Sequence, residues 1–382
     1  MQAALSRRPT WDDGGPPPAL RALFVVGLLY LFLVGVSCLE AGIKALGADF
    51  QNDLLNNVDH PLAGLAAGVL ATVLVQSSSV STATIVGLVG AGSLTVDAAV
   101  PMVMGANIGT TVTNTIASLG SARRSEEFRR AFAGATVHDF FNIMCVAIFL
   151  PLQVATDFLS NIAEELADLL GGNVEGGQAD SPIKQYIKEP VKQIEDLLDG
   201  PIGSSDFLGA LLITIGLLFI FIALAFVTRS MRALIAGRIE SAMNRIVSGA
   251  GGLVGIAAGI VITVGVQSSS ITTSILVPMV GSGVLTLRNA FPITLGANLG
   301  TTVTALLASL AVDLRAGLVV ALTHTLFNLF GIFAIYPIRA VRDLPVRLAE
   351  GLAGLAVGNR LIVAVYVFGV FIVLPLTALL AF

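Results

Sequence analysis

The chain has 382 residues, of which 55% are apolar and only 12% charged, with a net charge of −4 and a mean hydropathy of +0.88. These values exclude a soluble globular domain, in which about a quarter of the residues carry charge, and place the chain in a bilayer. Its two cysteines, Cys38 and Cys145, both lie in apolar segments, which excludes a disulfide framework and a cysteine metal site.

Residues 1 to 18 carry Arg7, Arg8, Asp12, Asp13 and the run Pro16-Pro17-Pro18, and read as a disordered cytoplasmic tail. Ala19 to Leu39 is long enough to span, since a helix needs roughly 20 apolar residues. It is also longer than the roughly 7–15 residues of a signal-peptide core, the rival reading. Leu62 to Val96 is uncharged and would reach roughly 50 Å as one helix, against a hydrocarbon core of roughly 30 Å. It must fold back or cross twice. The polar run Gln76-Ser77-Ser78-Ser79 sits at its middle, so a re-entrant hairpin over 62–96 with this knot at the tip is expected. Non-helical backbone at membrane depth is tolerated where it lines a cavity.

Ala98 to Leu119 is the next span, interrupted by Gly105, Asn107, Gly109 and a run of threonines. Glycines four apart can signify close helix packing. The adjoining Asn and Thr residues favour an unwound helix instead. After Arg123, Arg124, Arg129 and Arg130 comes a span from Ala131 to Leu150. Residues 151–206 form an acidic extracellular loop, in which Phe158, Ile162, Leu166 and Leu169, and then Ile183, Ile187, Ile194 and Leu198, predict two short surface helices.

The plan then repeats. A span from Phe207 to Val227 precedes an arginine-bearing stretch, a hairpin over 251–287, an interrupted span from Asn289 to Val312 and a span from Gly317 to Ile338. A cytoplasmic segment and last span fill 339–382, giving seven full spans and two hairpins. The second hairpin carries Gln267-Ser268-Ser269-Ser270, and the second interrupted span carries Gly296-Ala297-Asn298-Leu299-Gly300-Thr301-Thr302-Val303-Thr304. Both motifs lie 191 residues beyond their first copies (76 to 267, 107 to 298).

The loops at 121–130, 229–245 and 339–360 are basic and are expected in the cytoplasm. With three full spans per half, 19–150 and 207–338 enter the membrane in opposite senses. The expected fold class is therefore an all-α integral membrane protein, an inverted-repeat transporter whose two re-entrant helical hairpins and interrupted helices meet at the midplane.

The polar centres hold hydroxyls, carboxamides and broken-helix backbone, with Asp97 and Arg288 only at their edges. Helix N-termini with free N–H groups and serine hydroxyls suit an oxyanion. Carbonyl and hydroxyl oxygens of the Asn/Thr motifs suit a hard monovalent cation. Ion-coupled transport of an anion follows. His138 and His324, each in a His-x-x-Phe-Asn run ending at Asn142 and Asn328, read as packed hydrogen-bonding pairs, with a proton relay as the rival reading.

The paired Gln-Ser-Ser-Ser knots, the Gly-Ala-Asn-Ile/Leu-Gly-Thr-Thr runs and Phe128-Arg129-Arg130-Ala131-Phe132-Ala133-Gly134-Ala135-Thr136-Val137-His138-Asp139 resemble the type II sodium-dependent phosphate cotransporter family, and specifically a bacterial member. The resemblance covers nearly all of 60–150 and 250–338. It implies a multi-pass protein of the bacterial cytoplasmic membrane with its N-terminus inside, which couples sodium influx to phosphate uptake by alternating access. Phosphate would contact Gln76, Ser77, Ser78, Ser79, Asn107, Gln267, Ser268, Ser269, Ser270 and Asn298. Sodium, a co-substrate and not a cofactor, would be held by Asn107, Thr110, Thr113, Asn298, Thr301 and Thr304. The chain departs from some members in having Ala297 where they place a serine. Partners are phosphate, sodium and the bilayer, with no nucleic acid and with homodimerisation open. The rivals are another oxyanion symporter, an anion channel and an intramembrane serine hydrolase. The hydrolase lacks a Gly-x-Ser-x-Gly turn around Ser77 to Ser79.

Overall fold

The computed structural model describes residues 18–47, 60–171, 182–199, 205–247, 252–312 and 314–382, which form helices and, among the described residues, no strands. The tail expected over 1–18 lies almost wholly outside them. Among the described residues, six helices are long and apolar enough to cross a membrane: Ala19–Ala45, Ser125–Thr156, Asp206–Ser230, Leu287–Ser309, Arg315–Ile335 and Leu361–Ala381. Both cysteines are free and buried.

Helix α1 (Pro18–Ala45) pairs with α9 (Ser205–Val247). The contact is made by glycines, since a Cβ on Gly35 would overlap Gly216 and one on Gly42 would overlap the backbone at Gly209 and Ile213. The expected arginine-bearing stretch after the span simply continues α9. Each Gln-Ser-Ser-Ser knot is the turn of a helical hairpin, α2 (Pro61–Val75) with α3 (Ser78–Gly90), and α10 (Gly252–Val266) with α11 (Ser269–Gly281). Arms of 13 to 15 residues reach only about 20 Å, too short for a full crossing.

The first Asn/Thr motif runs through α4 (Val96–Gly109) and α5 (Val112–Ser118), which break at Thr110–Thr111 and continue into a 3₁₀ turn at Leu119–Ser121. This segment is accordingly not among the six long helices, where seven spans were expected. The second motif corrects the expectation of an unwound helix: α12 (Leu287–Ser309) is continuous. The physical reason is the facing helix: the backbone of α10 fills the space beside Gly296 and Gly300, so these glycines serve close packing and not unwinding. Thr301 and Thr302 return their hydroxyls to carbonyls three or four residues back, as Thr110 and Thr111 do in the copy that breaks.

The glycines in these motifs serve close packing. A Cβ on Gly68, Gly105 or Gly109 would overlap the facing backbone of the α2/α4 pair, and Gly259, Gly296 and Gly300 repeat the arrangement between α10 and α12. Each hairpin's first arm is thus clamped backbone to backbone onto the helix that follows it.

Helix α6 (Ser125–Thr156) runs past Pro151 and ends at Asp157, in the left-handed region. The acidic segment holds α7 (Phe158–Gly171) and α8 (Pro182–Asp199). Helix α13 (Leu314–Ile335) packs against α7. Helix α14 (Arg339–Gly358) lies along α6, and the last span comprises α15 (Leu361–Phe368), a π-helical turn at Gly369–Val373 and α16 (Leu374–Ala381). One apolar core centres on Phe132, Phe141, Phe149, Phe291 and Phe327, and a second joins α1, α3 and α9.

Candidate substrate and cation site

Gln76 caps the end of α2 with φ 57° and Gln267 caps α10 with φ 56°. A left-handed residue with a Cβ is costly unless its surroundings hold it. Here the side chain supplies the hold. Gln76 Nε2 donates to Val73 O at 2.5 Å and Gln267 Nε2 to Val264 O at 2.6 Å, satisfying a carbonyl that the helix end leaves open. The other end of each carboxamide accepts a threonine hydroxyl, Thr113 Oγ1 to Gln76 Oε1 at 2.9 Å and Thr304 Oγ1 to Gln267 Oε1 at 3.0 Å. Hairpin tip and second motif are therefore joined identically in the two repeats.

The serines open the return arms. Ser77 takes extended backbone and its Oγ accepts from Val80 N at 3.3 Å, and Ser268 takes the same backbone without the side-chain bond. Ser78, Ser79, Ser269 and Ser270 occupy the first turns of α3 and α11, where no carbonyl of the same helix reaches their N–H groups. The two tips touch: Ser79 Oγ donates to Gln267 O at 3.3 Å. Gln76 is exposed, whereas Gln267 is only 7% exposed.

Asn107 and Asn298 lie six residues before Thr113 and Thr304, about 9 Å along a helix. Their carboxamides are occupied. Asn298 Nδ2 donates to Asn142 Oδ1 at 2.7 Å, so the Oδ1 that faces His138 Nε2 accepts. Asn107 Nδ2 donates to Asn328 Oδ1 at 2.9 Å and its Oδ1 accepts from His324 Nε2 at 3.0 Å. Asn142 Nδ2 reaches on to Asn107 O at 3.0 Å, closing one network of six buried side chains. Each asparagine is thus clasped by the His and Asn of the opposite repeat. Both histidines carry their proton on Nε2, and neither Nδ1 has a partner. Neither His–Asn bond involves a serine, so the nucleophile–base contact that a serine hydrolase needs is missing from these two histidines.

Two features escaped the sequence reading. Asp139 is fully buried; its Oδ2 accepts Tyr366 Oη at 2.6 Å and its Oδ1 has no partner. Asn114 Oδ1 accepts both Thr273 Oγ1 at 2.9 Å and Ser274 Oγ at 3.2 Å, tying α5 to α11 across the repeats. Asp139 stood inside a quoted motif, and an acid within an apolar span was itself the signal. Nothing in local spacing marks Asn114.

The model of the Na+/Pi-cotransporter family matches residues 31–162 and 208–357. Sodium-dependent phosphate transport protein 2B of Homo sapiens is 31% identical over 94% of this chain and 64% of its own length. The 2B protein of Pongo abelii gives the same figures, and protein 2A of Rattus norvegicus is 31% identical over 93% of this chain and 67% of its own. The chain thus spans about two thirds of the length of these relatives. No solved structure matches.

Proposed function

This chain belongs to the Na+/Pi-cotransporter family, and on that premise we propose that it is a secondary active transporter coupling sodium influx to uptake of inorganic phosphate across a cytoplasmic membrane. The observation that carries the reading is the meeting of two serine-bearing helix N-termini at Ser79 and Gln267. Phosphate binds between the tips, on the hydroxyls and first-turn N–H groups of Ser77 to Ser79 and Ser268 to Ser270, oriented by Gln76 and Gln267. Asn107 and Asn298, whose carboxamides are held by the His and Asn of the opposite repeat, reach the ion only if a clasp opens. Access alternates as the clamped units α2/α4 and α10/α12 move against their surroundings.

No Lys or Arg lies in residues 62–122 or 246–287. Desolvating an anion costs several kcal/mol per charge, and hydrogen bonds of about 1.5–3 kcal/mol each offset that only in part. Bound sodium supplies the remainder. Its oxygens come from Thr110, Thr113, Thr301 and Thr304 with the Gln76 and Gln267 carbonyl groups, and Asp139 provides the buried negative charge.

Phosphate affinity therefore rises with sodium, and by linkage sodium affinity rises with phosphate by the same factor. The test is radiolabelled phosphate uptake into proteoliposomes under sodium, potassium, choline or pH gradients. Uptake that ignores sodium and follows the pH gradient overturns the reading. The inverted repeat rests on the arginine loops, and puts the N-terminus and Ser125 in the cytoplasm with Gly176 outside. Single cysteines at Ser125 and Gly176, in a chain lacking Cys38 and Cys145, are expected to label from opposite sides.

A further inference from the structure

Helix α14 has three faces. Pro345, Val346, Ala349, Ala353 and Ala356 are buried against the protein. Leu344, Leu348 and Leu355, at 43%, 41% and 62% exposure, form a second apolar stripe on the helical spacing, and the space beside Gly351 within that stripe is open. Between the two faces lies a charged one with Arg339, Asp343, Arg347 and Glu350.

The chain length leaves this helix little choice of depth. Residues 336–338 join it to α13, and 359–360 join it to the last span, Leu361–Ala381, both of membrane-spanning length. Three and two residues span at most about 10 and 7 Å, and the headgroup layer is about 5–8 Å thick on each side. The leucine stripe is therefore held beside a leaflet. Around it gather Arg339, Arg342, Arg347 and Arg360 against Asp343 and Glu350, and the neighbouring stretch adds Arg123, Arg124, Arg129 and Arg130 against Glu126 and Glu127. A cavity of about 400 Å³ opens between α6, the base of the second hairpin and α14, lined by Arg129, Arg130, Thr286 and Glu350 among others. Arg130 Nε donates to Gly281 O at 2.8 Å, and Arg288 pairs with Asp343 at 2.7 Å, so this surface is braced directly on the second hairpin and on α12.

We propose that α14 is an in-plane interfacial helix that seats its leucine stripe in the leaflet and binds the phosphate-bearing headgroups of anionic lipid through its arginines and the Arg129/Arg130 cavity. The site is independent of the transport reading, because it concerns lipid and the base of a hairpin, not the tips.

The test uses the full chain in nanodiscs, with Trp11→Phe removing the only tryptophan and Leu348→Trp placing a reporter in the stripe. Brominated phosphatidylglycerol and brominated phosphatidylcholine are compared as quenchers at equal mole fraction. Both are expected to quench, the anionic lipid more strongly. Arg129→Gln, which breaks only an exposed pair with Glu126, is expected to cut that preference by up to about fivefold. Glu350→Gln is expected to increase it, a gain that no misfolded variant would produce. Absence of quenching by either lipid would place the stripe against protein, such as a second copy, and overturn the proposal. So would equal quenching by the two lipids, or a preference abolished by millimolar inorganic phosphate, which would make the cavity a site for the free ion.

Discussion

The two repeats carry the same motifs at the same spacing and build the same tip, yet they do not make the same environment. In both, a left-handed glutamine bonds a carbonyl behind it and a threonine beside it. But Gln76 is exposed and Gln267 buried, and α4 breaks from α5 where α12 runs on. Asn114, which accepts Thr273 and Ser274, corresponds to Ala305, and the residues matching Thr273 and Ser274 are Thr82 and Ala83. Asp139, one residue past His138, corresponds to Thr325, one past His324. Duplication supplies a pair of tips built on the same bonds. The substitutions made since supply the differences in exposure, helix continuity and bonding between the two sides.

The largest effect tests what the repeats share. Asn298→Ala orphans His138 Nε2 and Asn142 Oδ1, and Asn107→Ala orphans His324 Nε2 and Asn328 Oδ1. At about 1–3 kcal/mol per buried orphan, each variant is expected to lose about 2–6 kcal/mol and to melt several degrees lower in detergent. A silent variant would show that its clasp bears no weight.

Next comes the buried carboxylate of Asp139, where the second repeat has Thr325. A cation within 4 Å of Asp139 gains up to about 4 kcal/mol at an effective dielectric of 20. Asp139→Asn is expected to raise the sodium needed for half-maximal uptake by tenfold or more, while uptake at saturating sodium falls less. Unchanged sodium dependence would remove Asp139 from the cation site.

Gln76→Ala and Gln267→Ala are each expected to raise the apparent phosphate constant about tenfold, from about 1–3 kcal/mol of lost donor. Thermal stability should fall only for Gln267→Ala, because water can replace the exposed carboxamide of Gln76. Normal transport by one variant beside a dead other would end the shared-site reading for that tip. The smallest effect is expected from Asn114→Ala, about 0.5–1.5 kcal/mol for a replaceable hydrogen bond. A double-mutant cycle with Thr273→Val should show coupling, whereas Ala305→Asn with Thr82→Val should show none. Coupling in both would make the repeats more alike than their contacts indicate.

Much of the architecture was legible because it depends on local rules. Apolar length gave the spans, the polar interruption of an overlong apolar run gave the hairpin tips, and helical periodicity gave α7 and α8 within the acidic segment. The duplication was a matter of counting. The glycines four apart were read towards unwinding, although the backbone of α2 or α10 fills the space beside them. That choice depended on a facing helix distant in sequence.

What the sequence by itself determined is the membrane class, the repeat and the two tips, since each follows from properties of contiguous residues. Only the tertiary structure decided who partners whom: that Gln76 takes Thr113, that Asn298 takes His138 and Asn142, and that Asn107 takes His324 and Asn328. In a water-poor interior a carboxamide must find donors and acceptors somewhere, but its type and spacing say nothing of where. Packing across the repeats fixes that choice, because the partners of Asn107 and Asn298 lie more than 150 residues away in the chain.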